Sequence, residues 1–279
     1  MEITKHIEQF RKDLELKNYS QSSIGNYVSQ VKLFLWQHNG KFTDASRINE
    51  TAIKDWLLES KSVNGRKHKL SALKLFYRLT INQQMKLKYI EYPRSERKLP
   101  IVLSQEEIQK MFDVCENTKH KVILALLYSV GLRISELINL KWGHIDRSRM
   151  IINIIRGKGN KDRQVMLSAN LIPLLEMYYK EYHSVVYVLN GQGDLAQYSK
   201  RSVAEVLKQL ATKAGIDKRM YPHLIRHCTG THLVENGTDV KLIQKLFGHN
   251  SSRTTDLYTH ISHNIISRIN SPLNSIKLY

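Results

Sequence analysis

The sequence predicts a mainly α-helical protein with one small antiparallel β-sheet: an all-α four-helix domain, then a larger α+β domain. Three observations predict it. Apolar residues over the first eighty or so positions recur only at three- and four-residue spacing, as amphipathic helices require. One stretch, 150–167, reads as two strands around a glycine-containing turn. Between these patterns, residues 82–100 carry two prolines, many cations and little periodicity, which marks an extended basic linker.

Ile3, Ile7, Phe10 and Leu14 give the first helix, which Asn18-Tyr19-Ser20 breaks. Ser20 is suited to cap a second helix carrying Tyr27, Val28, Val31, Phe34 and Leu35, which stops near Asn39-Gly40. Thr51 is suited to cap a third, with Ile53, Trp56 and Leu57 inward. The fourth begins after Asn64-Gly65 and carries Leu70, Leu73, Phe76 and Tyr77. Its outer face holds Arg66, Lys67, His68, Lys69, Lys74 and Arg78. A charge run is ordinarily a solvated face. With almost no acid interspersed, this one reads as a helix turned toward phosphates.

These boundaries give a domain over 1–81, a linker over 82–100 and a second domain over 101–279. The second domain opens with Ser104 and Glu107 placed for a capping box ahead of Ile108, Met111 and Phe112. A buried helix, Val122 to Val130, ends at Gly131, and Leu132-Arg133-Ile134-Ser135-Glu136 follows. The hairpin pairs 150–155 with 163–167 around a basic tip, Gly157 to Asp162. Pro173 to Tyr182 and Lys200 to Ala214 read as helices, and Gly215 closes the second of them. Val185 to Leu189 is ambiguous with a short strand. In the tail, 261–279, Ile265, Ile266, Ile269 and Leu273 keep helical spacing.

Charge narrows the partners. Lys and Arg outnumber Asp and Glu by 43 to 25 over 279 residues, a net charge of +18. Residues 1–98 hold 19 against 10 and the remainder 24 against 15, so each part carries +9. Both parts should therefore feel a polyanion, and nucleic acid fits better than a membrane surface, for which no basic amphipathic helix with a bulky apolar face is evident. Cys115 and Cys228 are far apart and form no Cys-x-x-Cys pair, which suits a reducing compartment and neither a disulfide framework nor a zinc site. The N-terminus lacks a signal-peptide core, and the longest apolar run, Val122 to Val130, is too short to span a bilayer. The expectation is a soluble, cytoplasmic protein without a membrane partner.

His223 and Arg226, three apart behind Pro222, share one helix face, and with His227, His249 and Tyr258 they suggest an anion site. The i, i+4 pair His223/His227 also has metal-ligand spacing. The glutamate of a His-Glu-x-x-His site is absent, however, and Arg226 between the pair would repel a dication. Taken singly, each residue has a plainer reading. Arg133 beside a helix start fits an ion pair with Glu136, Lys158 a solvated turn lysine, His227 a satisfied helix residue, His249 a C-cap, and Tyr258 packing.

Together these residues lie in four motifs: Gly131-Leu132-Arg133-Ile134-Ser135-Glu136, Gly157-Lys158-Gly159-Asn160-Lys161-Asp162-Arg163, His223-Leu224-Ile225-Arg226-His227, and Leu246-Phe247-Gly248-His249 followed by Thr254-Thr255-Asp256-Leu257-Tyr258. In this order they resemble the tyrosine recombinases of the phage integrase family, with the size and layout of the Xer type, over nearly the whole chain. Cys228-Thr229-Gly230-Thr231-His232 stands where the family more usually has Ser-Phe-Ala-Thr-His. The first predicted helix lies in the region that the family uses to bind core DNA, so the arm-binding domain of lambda-type integrases is not expected.

The resemblance implies a catalytic set of Arg133, Lys158, His223, Arg226, His249 and the nucleophile Tyr258, supported by Glu136 and His227. Two fork-shaped guanidiniums suit the non-bridging oxygens of a phosphodiester under attack. A phenol with a pKa of about 10 needs its proton taken or its anion stabilised. His223 is then the base, His249 a donor to the phosphate, and Lys158 the acid for the leaving 5′-oxygen. No metal, ATP or other cofactor is implied. Arg66, Lys67, Lys69, Lys74 and Arg78 on the fourth helix, with Lys161 and Arg163 on the hairpin, would contact DNA. The implied partners are duplex DNA with inverted-repeat half-sites and three further copies of the chain, forming a tetramer that exchanges strands through a Holliday junction. An accessory directionality protein is a further candidate partner. The tail is equally suited to docking on its own domain or on a neighbour. A type IB topoisomerase, a telomere resolvase and a non-catalytic DNA-binding protein on the same fold are the alternatives.

Overall fold

A computed structural model describes residues 2–94, 101–155, 162–192 and 196–248. The chain divides into two compact units, Met1–Arg97 and Lys98–Tyr279.

The first unit is helical. α1 (Ile3–Leu16) buries Ile3, Phe10 and Leu14. α2 (Gln21–Gln37) starts at Ser20, whose hydroxyl accepts from the Ser23 N–H. α3 (Glu50–Leu58) is capped by Asn49, which accepts from the Ala52 N–H at 2.9 Å, two residues before the expected Thr51. α4 (Val63–Leu79) starts earlier than expected, because the Ser62 hydroxyl accepts from the Gly65 N–H and draws Asn64-Gly65 into the first turn. Phe10 meets Phe76 edge-on at 5.4 Å between ring centroids, and Phe34 meets Trp56 at 5.0 Å. Tyr77, fully buried, donates to the Ala45 carbonyl at 2.9 Å.

The described part of the expected linker is not an extended strap. Gln84–Leu87 forms a 3-10 turn, and Leu87 and Ile90 are buried in the same core as α1–α4. Two apolar side chains spaced three apart offset the prolines and cations around them, a pattern too short to register as periodicity.

The second unit begins with α5 (Gln105–Asp113), where Ser104 and Glu107 form the expected capping box. α6 (Thr118–Val130) runs through the core and ends on Gly131 in the left-handed conformation. α7 (Ile134–Ile138) follows after a sharp turn. The sheet has three antiparallel strands, β1 (Ile145–Asp146), β2 (Ile151–Ile154) and β3 (Arg163–Met166), in that order. β1 is too short to show in the sequence. The β2–β3 register pairs Ile152 with Val165 and Ile154 with Arg163. Ile152, Ile154 and Val165 are buried. α8 (Leu171–Tyr182), α9 (Lys200–Lys213), α10 (Pro222–Glu235) and α11 (Val240–Phe247) complete the unit. α8 and α10 both pack on α6. Residues 185–189 form no strand; Tyr187 makes an isolated bridge with Lys141. The tail, 261–279, lies outside the described residues.

Candidate active site

Four charged side chains meet where α6 ends, α7 begins, β3 enters the sheet and α11 stops. Gly131 has φ +60°, which turns the chain so that Arg133 becomes the residue capping α7. Glu136, in the first turn of α7, reaches back to accept from the Arg133 backbone N–H and from Arg133 Nη1, both at 2.8 Å. Across the sheet, Arg163 clasps the same carboxylate with Nη1 at 2.7 Å and Nη2 at 2.8 Å. Its Nε donates to the Leu246 carbonyl at 2.6 Å.

α11 ends against this cluster. Gly248 closes it in the left-handed conformation. Arg133 Nη2 donates to the Phe247 carbonyl at 3.0 Å and to the Gly248 carbonyl at 3.2 Å. Arg226, from α10, donates Nη2 to that same Phe247 carbonyl at 2.6 Å and Nη1 to the Gly131 carbonyl. Its guanidinium also lies over the Phe247 ring, 4.2 Å from the centroid. Three guanidiniums thus face the last-turn carbonyls of α11, the negative end of a helix dipole.

Burial is deep: residue Arg226 is 4% exposed, and the side chains of Glu136, Arg163 and Arg133 are 4%, 10% and 13% exposed. Burial alone would raise the Glu136 carboxyl. The Arg163 hydrogen bonds, the Arg133 backbone N–H, the Arg163 charge and the Arg133 side-chain hydrogen bond more than reverse this and hold it at about 2. Glu136 is therefore a fixed anion at any working pH. His227 is half-buried. Burial first, then the neighbouring His223 and Arg226, lowers its pKa. His223 is exposed in the first turn of α10, three residues before Arg226. Cys228 accepts from the Leu103 N–H at 3.3 Å, and burial pushes its thiol up to about 11, so it packs and does not react.

Of the residues singled out in the sequence, the structure brings Arg133, Glu136 and Arg226 together, with His223 one turn from Arg226 on α10. Lys158, Lys161, His249 and Tyr258 lie outside the described residues. Arg163 and Lys69 depart from expectation. Arg163, expected at the DNA surface, precedes Val165 by two residues and so shares its inward face of the strand. Lys69 also turns inward, to the Trp56 carbonyl at 2.7 Å and over the Trp56 ring at 4.0 Å, with a side chain 16% exposed. Sequence reasoning missed the carbonyls of Gly131, Leu246 and Phe247 and the Phe247 ring. Among the described residues, no group of three His, Cys, Asp or Glu could hold a metal ion, and no helix is long and apolar enough to cross a membrane.

Of the two glycines in this cluster, Gly131 is the tighter. A Cβ there would lie 2.6 and 2.8 Å from Phe247 ring carbons, in a backbone conformation that L side chains avoid. Gly131→Ala is expected to lose about 1–2 kcal/mol to the left-handed backbone and about 1–3 kcal/mol to overpacking. A urea titration would show it, and an unchanged midpoint would mean the ring moves aside at no cost.

Comparison with known proteins fits this geometry. The model of the phage integrase family matches residues 102–264, and that of the phage integrase N-terminal SAM-like domain matches residues 7–84. The tyrosine recombinase XerD of Oceanobacillus iheyensis is 32% identical over 277 residues, covering 92% of this chain and 90% of the relative. A putative integrase/recombinase of Sinorhizobium fredii is 32% identical over 269 residues, covering 95% and 87%. The crystal structure of XerA recombinase matches with TM-score 0.57 and 25% identity, over 97% of this chain and all of that one. A lambda integrase in a tetramer bound to a Holliday junction shares the fold at TM-score 0.74 and 16% identity, over 99% of this chain and 80% of that one. With matched models over both units and relatives along nearly its full length, the chain belongs to the phage integrase family and is a tyrosine recombinase.

Proposed function

We propose that this recombinase is site-specific: it cuts each DNA strand by attack of Tyr258 on a phosphodiester, forming a 3′-phosphotyrosyl link and releasing a 5′-hydroxyl. The 5′-hydroxyl of a partner strand then attacks that link, so the bond energy is retained and no nucleotide cofactor enters. Arg133 and Arg226 neutralise the non-bridging oxygens, with His249 as a further donor. His223 takes the tyrosine proton, and Lys158 protonates the leaving oxygen. Glu136 and His227 support them. Four protomers on two inverted-repeat sites would exchange strands through a Holliday junction.

The observation that carries this reading is the convergence of Arg133 and Arg226 on one carbonyl oxygen, that of Phe247. Holding two guanidiniums this close is costly unless an anion joins them. Glu136 and the Phe247 carbonyl hold Arg133, the Gly131 and Phe247 carbonyls hold Arg226, and a phosphate gathering charge is the ligand such a pair suits. On the N-terminal unit, a groove of about 510 Å³ lined by Lys74, Arg78, Lys88, Tyr27 and Tyr92 is suited to a DNA backbone. Arg66 and Lys67 lie on the same helix, α4.

The test is covalent capture. The full chain is incubated with a pool of duplexes of randomised sequence, denatured, and the DNA attached to protein is sequenced. Wild type is expected to retain duplexes with inverted repeats, and Tyr258→Phe to bind DNA equally and retain none. Adducts formed by Tyr258→Phe would assign the nucleophile elsewhere. The absence of adducts with wild type would leave a DNA-binding protein on a recombinase fold.

A further inference from the structure

We propose that Arg163 is a positioning residue: it fastens the end of α11 to the Arg133–Glu136 pair and makes no contact with DNA. The inference rests on the function proposed above and assigns a role that the basic hairpin motif does not suggest.

Strand register fixes its direction. Arg163 pairs with Ile154 and lies two residues before buried Val165, so its side chain leaves the sheet on the core side. There both Nη groups are used on the two Glu136 oxygens and Nε on the Leu246 carbonyl. This is the face of the fork that would grip a phosphate, and in Arg163 an anion already occupies it, whereas the Nη groups of Arg226 rest on neutral carbonyls. The α11 terminus closes on the arginine stem as well: a Cβ at Gly248, where φ is +58°, would lie 3.2 Å from Arg163 Cδ.

The consequence follows from adjacency. Arg163 holds the Leu246 carbonyl, while Arg133 and Arg226 hold the next one, Phe247. Gly248 directly precedes His249 in the sequence. One arginine therefore ties together the carboxylate that orients Arg133 and the helix end that both phosphate-binding arginines grip. A lysine could make one of these links at a time, because its single ammonium cannot span a carboxylate and a carbonyl as the planar fork does.

The experiment compares Arg163→Gln and Arg163→Lys with wild type on a duplex recovered by covalent capture. Affinity is measured across a salt series, and cleavage in single turnover at saturating DNA. Denaturant titration confirms that each variant is folded under the assay conditions. We expect unchanged affinity and salt dependence in both variants. The saturating cleavage rate should fall about a hundredfold in both, the scale of loss when a reacting group is misplaced by about 1 Å.

A phosphate contact would behave otherwise. Arg163→Gln would lower the salt slope by about one, and Arg163→Lys would restore it. That pattern, or full cleavage by either variant, would overturn the proposal. Should Arg163→Gln fail to fold, Arg163→Lys carries the test alone. If wild type forms no adduct with any duplex, the functional reading fails, and the salt series on a mixed-sequence duplex still decides whether Arg163 touches DNA.

Discussion

Arg226→Ala will bind DNA and fail to cut it. Arg226 is the most buried arginine of the described site, and its two Nη groups are aimed by backbone carbonyls from separate places in the chain, Gly131 and Phe247. Removing one oxyanion donor from an enzyme costs roughly 10²–10³ in rate. Arg226 supplies a charge along with its donors, so a loss of at least 10³, about 4 kcal/mol of transition-state stabilisation, is expected. Arg226→Lys will recover little, since an ammonium cannot hold both carbonyls and face a phosphate as a planar fork does. Stability falls as well. The Gly131 carbonyl loses its side-chain donor at a cost of about 1–3 kcal/mol, and the stacking on Phe247 is worth about 1 kcal/mol more. The measurement is therefore single-turnover cleavage at saturating DNA, on protein shown to be folded by its denaturation curve. A folded Arg226→Ala that cleaves within tenfold of wild type would remove this residue from the catalytic set.

The elements of this fold were largely legible because each carries its own local signal. Gly131 and Gly215 end helices in the left-handed conformation, Ser20 caps α2, and Ser104 with Glu107 forms a capping box. The chemistry-bearing side chains were legible as types and spacings. Their immediate partners were not, because a backbone carbonyl has no sequence signature: nothing in Leu246-Phe247-Gly248 announces that three arginines will close on it. Arg163 is different, since its signal was present. Arg163 is in phase with Val165 on β3 and with Leu167 just beyond its end, so an arginine in step with two buried residues had to point inward. Reading it as part of a basic tip gave the charge more weight than the period. Lys69 repeats the lesson on α4, in phase with Ala72, Leu73 and Phe76 at three, four and seven residues. The 82–100 segment shows the converse. Prolines and cations dominate its composition, yet Leu87 and Ile90 are enough to seat part of it on the helical core.

Glu136→Gln will destabilise the protein strongly at neutral pH and almost not at all near pH 2. At neutral pH the carboxylate is shared by two guanidiniums and a backbone N–H, and its side chain is nearly inaccessible. Glutamine keeps the shape but turns an N–H₂ toward a guanidinium and leaves two buried cations without their anion, a change costing about 3–5 kcal/mol. The pH dependence follows from the depressed carboxyl. Its folded value of about 2 lies below the ordinary 4.5, so the unfolded chain binds the extra proton first as the solution is acidified. The stabilisation is complete above pH 4.5 and is lost as pH falls toward 2, with a total of about 3 kcal/mol. Other carboxylates that titrate in this range, such as Asp44 at about 2, are common to both proteins and cancel in the difference. Urea midpoints of wild type and Glu136→Gln, measured from pH 7 down to pH 2, should therefore lie far apart at first and converge below pH 4.5. Parallel curves over the whole range would mean that the carboxylate is not the anion holding Arg133 and Arg163 together, and the proposed phosphate-binding pair, Arg133 and Arg226, would then owe its geometry to the backbone carbonyls of Gly131, Phe247 and Gly248.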